Sequence, residues 1–404
     1  MNIAIIGAGA AGLAAAAELA KKGCQVTVFE ARDRIGGRIW TDRSFGYPVE
    51  LGAAWLHTGM AHPYAARSGG RTRQSDPYNL LLFDPQGRAV DAARCRELAA
   101  MQVSGVGRAL RAGTQAGRPL SLRQAFELAT PEPAEEVWLG RARALPVADI
   151  DALSGRWDPG ADEPPPNQDL LPLEGYDTLL STEGCSLRLE EPVELVRWGA
   201  DVELVTPRGS FRFDRAVLTL PLGVWRSGKV RFEPELPGKS EALAKLGVTL
   251  LNKVVLQFTE PFWPEGHDFF ALTAQSEGRL GTYLDGQRAM GQPVLIGFAS
   301  GQAAWELEQK PDFEIIQAAL EALRPAFPDI RWPRLCRVTR WGSEPYSLGA
   351  YSLVPPEGDP SAYDRLAEPV GPLFFAGEAT WRRAPATVQG AHFSGLRAAR
   401  QAIG

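Results

Sequence analysis

The first thirty residues alternate between apolar runs and a glycine-punctuated stretch. Residues 2–6 (NIAII) and 25–29 (QVTVF) are short apolar runs bounded by turn residues, and 10–22 lies between them. Short apolar runs of this kind predict buried strands, and the intervening stretch predicts a helix, so the chain opens as a βαβ unit. Residues 3–20 are almost uncharged and about as long as a membrane-spanning helix. Three patterned glycines and the lack of a basic leader argue instead for strand, tight turn and buried helix.

Further on the pattern changes. Residues 62–70 predict a short helix ending at glycine, and the Ala/Arg/Leu-rich residues 91–129 predict longer helices. Three consecutive prolines make 158–169 a loop. Residues 193–220 alternate apolar and polar around Gly199 and Gly209, which predicts antiparallel strands and hairpins. Residues 252–258 and 293–298 read as strands, 313–326 as an amphipathic helix and 390–403 as a closing helix.

Composition narrows the class. A chain of 404 residues, 45% hydrophobic and 23% charged, suggests two or three domains and a core large enough for a sizeable cofactor. The net charge is −5 and no Lys/Arg block stands out, so nucleic acid is not an expected partner. Cys24, Cys95, Cys185 and Cys336 are scattered without a C-x-x-C, which argues against disulfides and against a metal site. Taken as complete, the chain leaves no room before Ile3 for a leader and carries no apolar tail, so a cytoplasmic protein without a membrane anchor is expected.

Gly7, Gly9 and Gly12 form G-x-G-x-x-G, enclosing Ala11, directly after a strand and at a helix start. Gly7 permits the turn, Gly9 lets backbone approach a pyrophosphate, and Gly12 lets helix and strand pack closely. Glu30 follows Gly12 by eighteen residues, close to the spacing of a carboxylate that accepts ribose hydroxyls. A dinucleotide site follows. Residues 30–38 (EARDRIGGR) add a Gly-Gly turn at Gly37, with Arg32 and Arg38 to meet a phosphate.

Here the sequence resembles the flavin-containing amine oxidases, a family that includes monoamine oxidases, polyamine oxidases and lysine-specific histone demethylases. The resemblance implies non-covalent FAD, with Glu30, Ala31, Arg32, Gly37 and Arg38 at the adenosine and pyrophosphate. Residues 50–59 (ELGAAWLHTG) resemble the segment beneath the flavin. Gly52, Ala53 and Ala54 would allow close approach to the ring, and Trp55 and His57 would line the cavity, His57 as a substrate contact. Residues 252–264 resemble the strand whose lysine holds a water near flavin N5, which falls at Lys253. Residues 341–353 place Trp341 against the flavin and Tyr351 as one wall of an aromatic cage. The position that bears a flavin-linked cysteine in monoamine oxidases is Ala350.

Residues 374–398 (FFAGEATWRRAPATVQGAHFSGLRA) are the strongest C-terminal match and bring Gly377, Glu378, Thr387, Val388 and Ala391 to the cofactor. Glu378 would accept from ribityl or diphosphate-linked hydroxyls. Thr387 and Val388 would offer backbone N–H groups to the flavin at a helix N-terminus, and Thr387 also takes the place of the second cage tyrosine, on the substrate side. Val193 would hold the adenine.

The resemblance therefore implies an α/β protein in which a Rossmann-like FAD domain of glutathione-reductase type interleaves with an α+β substrate domain of mixed sheet and helices. The FAD domain is expected from 1–75, 172–235 and 355–404, the substrate domain from 76–171 and 236–354. The expected reaction takes a small primary or secondary amine, a monoamine or polyamine, to an imine that hydrolyses to an aldehyde, with O2 reduced to H2O2. Lys253 and Tyr351 are the expected catalytic residues. The matches do not name the amine or the oligomeric state. Two other readings stay open: a same-fold flavoprotein such as a carotenoid desaturase or protoporphyrinogen oxidase, and a non-catalytic flavin-binding protein.

Overall fold

The structure, a computed structural model, describes residues 1–57, 62–129, 150–156, 169–272 and 279–404. Most of the residues expected to form a proline-rich loop, 158–168, lie outside these. Asp169 opens a strand, Asp169–Pro172.

The opening βαβ unit forms as expected: strand Asn2–Ile6, helix Ala10–Lys21, strand Gln25–Phe29. Its strands join a five-stranded parallel sheet ordered Leu373–Phe375, Arg215–Leu218, Asn2–Ile6, Gln25–Phe29, Ser186–Arg188. Its central strands carry continuous apolar runs because both faces are covered. The helices Ala10–Lys21 and Val388–Ile403 pack together on one face, so tightly that a Cβ on Gly395 would lie 2.1 Å from the Ala11 carbonyl oxygen. On the other face Ala4, Ile6, Phe29, Ala216 and Leu218 pack against Val196, Val202, Leu204 and Phe213. These last belong to a four-stranded sheet ordered Gly209–Phe213, Val202–Thr206, Leu195–Trp198, Arg231–Glu233. Each large aliphatic side chain buried here stabilises the fold by about 1.5–3 kcal/mol.

The alternating run 193–220 thus divides. Its first three strands make the expected antiparallel hairpins. Arg215–Leu218, however, leaves them to pair in parallel between the strands at 2–6 and 373–375, which corrects the expectation for that piece. The expected helix at 62–70 is only a 3-10 turn at Ala66–Ser68, closed by Gly69 in the left-handed region at φ +59°.

A third sheet has six strands, ordered Leu335–Val338, Leu251–Gln257, Val294–Ser300, Arg279–Asp285, Phe269–Leu272, Leu80–Phe83. All its pairs are antiparallel except the last. Strand alternation sends Val254 and Leu256 into the core formed with helices Gly301–Glu308 and Asp312–Leu323. Val255 enters the opposite core, with helix Ala92–Gln115. Lys253 shares the face of Val255, and that face meets residues 50–52. No helix among the described residues is long and apolar enough to cross a membrane.

Candidate functional site

A cavity of about 690 Å³ runs from the carboxyl ends of the parallel strands to the face of the six-stranded sheet. That is a ligand-sized space at the place where doubly wound sheets bind nucleotides. Every residue expected at the cofactor or substrate lines it except Gly12.

At the nucleotide end the work is done by backbone. Gly7 sits at φ +103°, and a Cβ there would come within 2.5 Å of Thr219 Oγ1. Gly12 lies off the lining because it packs helix on strand, its would-be Cβ falling 1.9 Å from the Gly7 carbonyl oxygen. Gly9 caps the helix start without a side-chain hydrogen bond, so first-turn N–H groups remain for an anion. A Cβ on Gly9, Gly37 or Gly377 would meet no atom closer than 3.8, 3.4 and 3.9 Å respectively. All three positions line the cavity, so side chains there would fill its space. Phe29, Val193 and Val230 supply an apolar end for a base. This donor set and glycine cradle fit a dinucleotide.

The charged residues around this end are tied to protein partners. Glu30, 4% exposed, accepts from the Ala8 N–H at 2.8 Å and the Arg32 N–H at 3.0 Å. Its remaining lone pairs are free in number for ribose hydroxyls. Arg32 pairs with Glu344, donates to Ser347 Oγ at 2.8 Å and lies over the Tyr346 ring. Arg38 Nη1 donates to the Ala350 carbonyl at 2.8 Å and to Glu378 Oε1 at 3.0 Å. Glu378 Oε2 accepts from Ser352 Oγ at 2.6 Å, from the Ala386 N–H at 2.9 Å and from the Ser352 N–H at 3.4 Å. Three of these donors fall on Oε2 and one on Oε1, so Glu378 braces the site through Oε2 while lining the cavity.

At the other end the lining is made by side chains from distant segments. Lys253 Nζ, 3% exposed, donates to the carbonyls of Glu50 at 2.8 Å and Gly52 at 2.7 Å, and lies 5.6 Å from the centre of the Trp55 ring. Trp55 packs on Phe269 and Phe298. Trp341 Nε1 donates to the Leu51 carbonyl at 3.2 Å. Gly52 is required because a Cβ would fall 1.9 Å from the Arg38 carbonyl oxygen. Tyr351 lies on a strand, Tyr351–Leu353, paired with Gly247–Thr249, and burial raises its phenol above the ordinary range. Thr387 lines the cavity, with its hydroxyl turned to the backbone. Its hydroxyl caps helix Val388–Ile403, accepting from the Gly390 N–H at 3.0 Å and donating to the Ala384 carbonyl at 2.8 Å. That cap points the positive end of the helix at the cavity.

His57 Nδ1 is 2.8 Å from Asp169 Oδ1, across the pairing of Leu56–His57 with Asp169–Pro172. Behind this wall lie two further histidines. His62 Nε2 is 3.2 Å from the Tyr176 hydroxyl, and His392 Nδ1 is 3.2 Å from the Tyr64 hydroxyl. Burial pushes both histidines down to about 4.

Sequence reading missed three residues here. Glu50 opens a quoted motif, and its buried position is set by pairing with Thr41. Asp169 follows a proline-rich run with no local signal. Ala386 adopts φ +61°, held by Glu378, just before the helix.

Comparison with known proteins converges on one family. The flavin containing amine oxidoreductase profile matches residues 10–89 and 168–403. Polyamine oxidase 2 of Arabidopsis thaliana is 33% identical over 98% of this chain and 87% of its own length. Polyamine oxidase 4 of Oryza sativa subsp. japonica is 32% identical over 98% and 88%. Lysine-specific histone demethylase 1 homolog 2 of the same rice is 33% identical over the whole chain but only 57% of its own length. A solved structure of wild-type putrescine oxidase bound to putrescine shares the fold with a TM-score of 0.80 at 20% identity, covering 100% of this chain and 99% of that one.

Proposed function

The chain belongs to the flavin containing amine oxidoreductase family and is a flavin-dependent amine oxidoreductase, and we propose that its substrate is a diamine or polyamine, its cofactor non-covalent FAD and its electron acceptor O2. One equivalent each of amine, O2 and water would give aldehyde, H2O2 and ammonia or a shorter amine. The polyamine and putrescine oxidase relatives support the substrate class. Ala350, where the covalent relatives carry cysteine, supports a flavin held without a bond. The division of the chain into 1–75, 172–235 and 355–404 for the cofactor and 76–171 and 236–354 for the substrate belongs to the same proposal.

The observation that carries the reading is Lys253, buried at the end of a glycine-cradled cavity with two backbone carbonyls as partners. Bound FAD supplies the acceptor for two electrons from the carbon next to nitrogen. The protein supplies placement and proton control. Gly7, Gly9, Gly37 and the two helix N-termini would hold the dinucleotide, with Arg38 beside it. Trp55, Tyr351 and His57 would orient the amine, and the aromatic walls exclude water. A neutral Lys253 has two N–H groups, both taken by the carbonyls of residues 50 and 52, and a lone pair left to accept a proton. Protonation adds a third donor that can hold a water. Nζ is thus a place where a proton can be held or released.

The test is anaerobic mixing of the flavin-loaded protein with putrescine, spermidine, spermine, monoamines and amino acids. Diamines or polyamines are expected to bleach the flavin fastest, and acid precipitation to leave all the flavin in solution. Bleaching by none of them would overturn the oxidase reading, and yellow colour in the pellet would overturn the non-covalent one.

A further inference from the structure

Three successive carbonyls at residues 50–52 are each claimed by a side chain of the cavity wall. Lys253 takes the first and third, and Trp341 takes the second. Two N–H groups in and just after the stretch are fixed as well, Leu51 donating to the Trp40 carbonyl at 2.8 Å and Ala53 to the Arg38 carbonyl at 3.1 Å. The stretch is a platform that places a lysine and a tryptophan together. Its start is anchored by the Glu50 side chain, 8% exposed. Thr41 Oγ1 lies 3.0 Å from both carboxylate oxygens, and the Tyr176 N–H donates to Oε1 at 2.7 Å.

We propose that Glu50 is a positioning residue for amine oxidation: its carboxylate is the counter-charge that decides whether Lys253 carries its proton, and its anchorage to Thr41 and Tyr176 holds the platform under Lys253 and Trp341. The inference rests on the flavin oxidase reading for its catalytic meaning, but not for its electrostatics. The groups that face Glu50 are Lys253 from the six-stranded sheet, Tyr176 and Asp177 from the 3-10 helix Tyr176–Leu179, and Arg43 from the turn after Thr41–Asp42. Among the described residues Glu50 is the charge that acts on Lys253, whose Nζ also meets the carbonyls of residues 50 and 52 and lies 5.6 Å from the centre of the Trp55 ring. Burial drives the two groups toward neutrality, raising Glu50 and lowering Lys253, while each charge opposes the other's shift. Such a pair shares protons as a unit. Thr41 and the Tyr176 N–H stabilise the ionised form of Glu50, and so bias the shared proton toward Lys253.

Lysine is scarce here, seven residues in the chain, so the lysine side chains can be followed individually by NMR after 13C labelling. The signal absent from Lys253→Met assigns Lys253. In the flavin-loaded protein, Glu50→Gln is expected to lower the Lys253 titration midpoint by about one pH unit or more, the size of one lost opposite charge. Glu50→Asp should restore most of it. Stopped-flow flavin reduction by putrescine should show the same acid-ward shift of its pH profile in Glu50→Gln, and no further shift when Glu50→Gln is added to Lys253→Met. An unmoved lysine midpoint overturns the proposal, and so does a kinetic shift that persists without Lys253. If putrescine and the other amines leave the flavin oxidised while the midpoint still moves, the oxidase reading fails and the pairing stands. If Glu50→Gln does not fold, Thr41→Val must lower the same midpoint, since it removes a hydrogen bond to the carboxylate. No movement there also overturns the pairing.

Discussion

The two ends of the cavity are built in opposite ways. The nucleotide end is made of main chain: a turn at Gly7, a helix start at Gly9 and Ala10, a second turn at Gly36 and Gly37. These turns and the helix start come from about thirty consecutive residues. The amine end is made of side chains from segments far apart in the chain, Trp55, Lys253, Trp341 and Tyr351, of which Lys253 and Trp341 hang on the carbonyls of residues 50–52. A pyrophosphate is satisfied by backbone N–H groups and a dipole, which any sequence able to make the turn can offer. A reacting amine needs particular side-chain chemistry at a particular place, and long-range contacts must create that place. Mutations at the first end should therefore act through space and folding, and those at the second through rate.

The sharpest test of this division compares two glycines three residues apart. Gly12→Val puts a side chain against the Gly7 carbonyl, where even a Cβ would lie at 1.9 Å. It should cost about 3 kcal/mol or more of stability and abolish flavin binding. Gly9→Ala meets nothing within 3.8 Å and should melt close to wild type while binding flavin more weakly, because its methyl enters the cavity. Thermal melts with flavin absorbance check both. Equal losses of stability in the two variants would break the distinction between a packing glycine and a cradle glycine.

The same division explains what could be read before the structure. The βαβ opening and the glycine fingerprint are local, and local steric rules write them into consecutive residues. The strand Arg215–Leu218 was read as part of a hairpin series because its alternation matches its neighbours, yet its partners are more than 150 residues away on either side. Nothing within its own four residues distinguishes the two pairings. Resemblance to relatives located Lys253, but the roles of Glu50 and Asp169 emerge only from contacts with Thr41, Tyr176 and His57. Glu378 and Thr387 were identified by position, and the structure adds the hydrogen bonds within the protein that hold them at the cavity wall.

The second prediction addresses the amine end alone. Lys253→Met should retain flavin, because the cradle does not use Lys253, and should slow flavin reduction or reoxidation by roughly 10²-fold, the scale of a positioned proton-transfer group. It should also lower the melting temperature, since two buried carbonyls lose their donor. Stopped-flow rates at equal flavin occupancy decide. A variant that loses flavin but turns over normally when saturated with it would show that Lys253 belongs to the nucleotide end, and the contrast between the ends would fail.

The third prediction is the smallest and asks which end carries the acid sensitivity. His62 and His392 stand behind the amine wall, packed with Tyr64 and Tyr176. Burial, the largest cause in each, pushes both from 6.5 to about 4. His57 and His392 act in the same direction on His62, and Arg67 and Lys21 on His392. As pH falls from 6.5 toward 4, the unfolded chain takes up two protons that the folded chain refuses, so stability is lost. Glu50 works the other way: burial raises it, the folded chain takes its proton first, and stability is gained as pH falls through that range. Two protons against one leaves a net difference of about one, which corresponds to about 1.4 kcal/mol per pH unit. Urea unfolding at pH 6.5, 5.5 and 4.5 should show this slope in wild type. Replacing both histidines with asparagine removes the two-proton term and leaves Glu50's opposing one, so the loss should vanish or reverse. A double variant with the wild-type slope would place the acid sensitivity outside the amine wall.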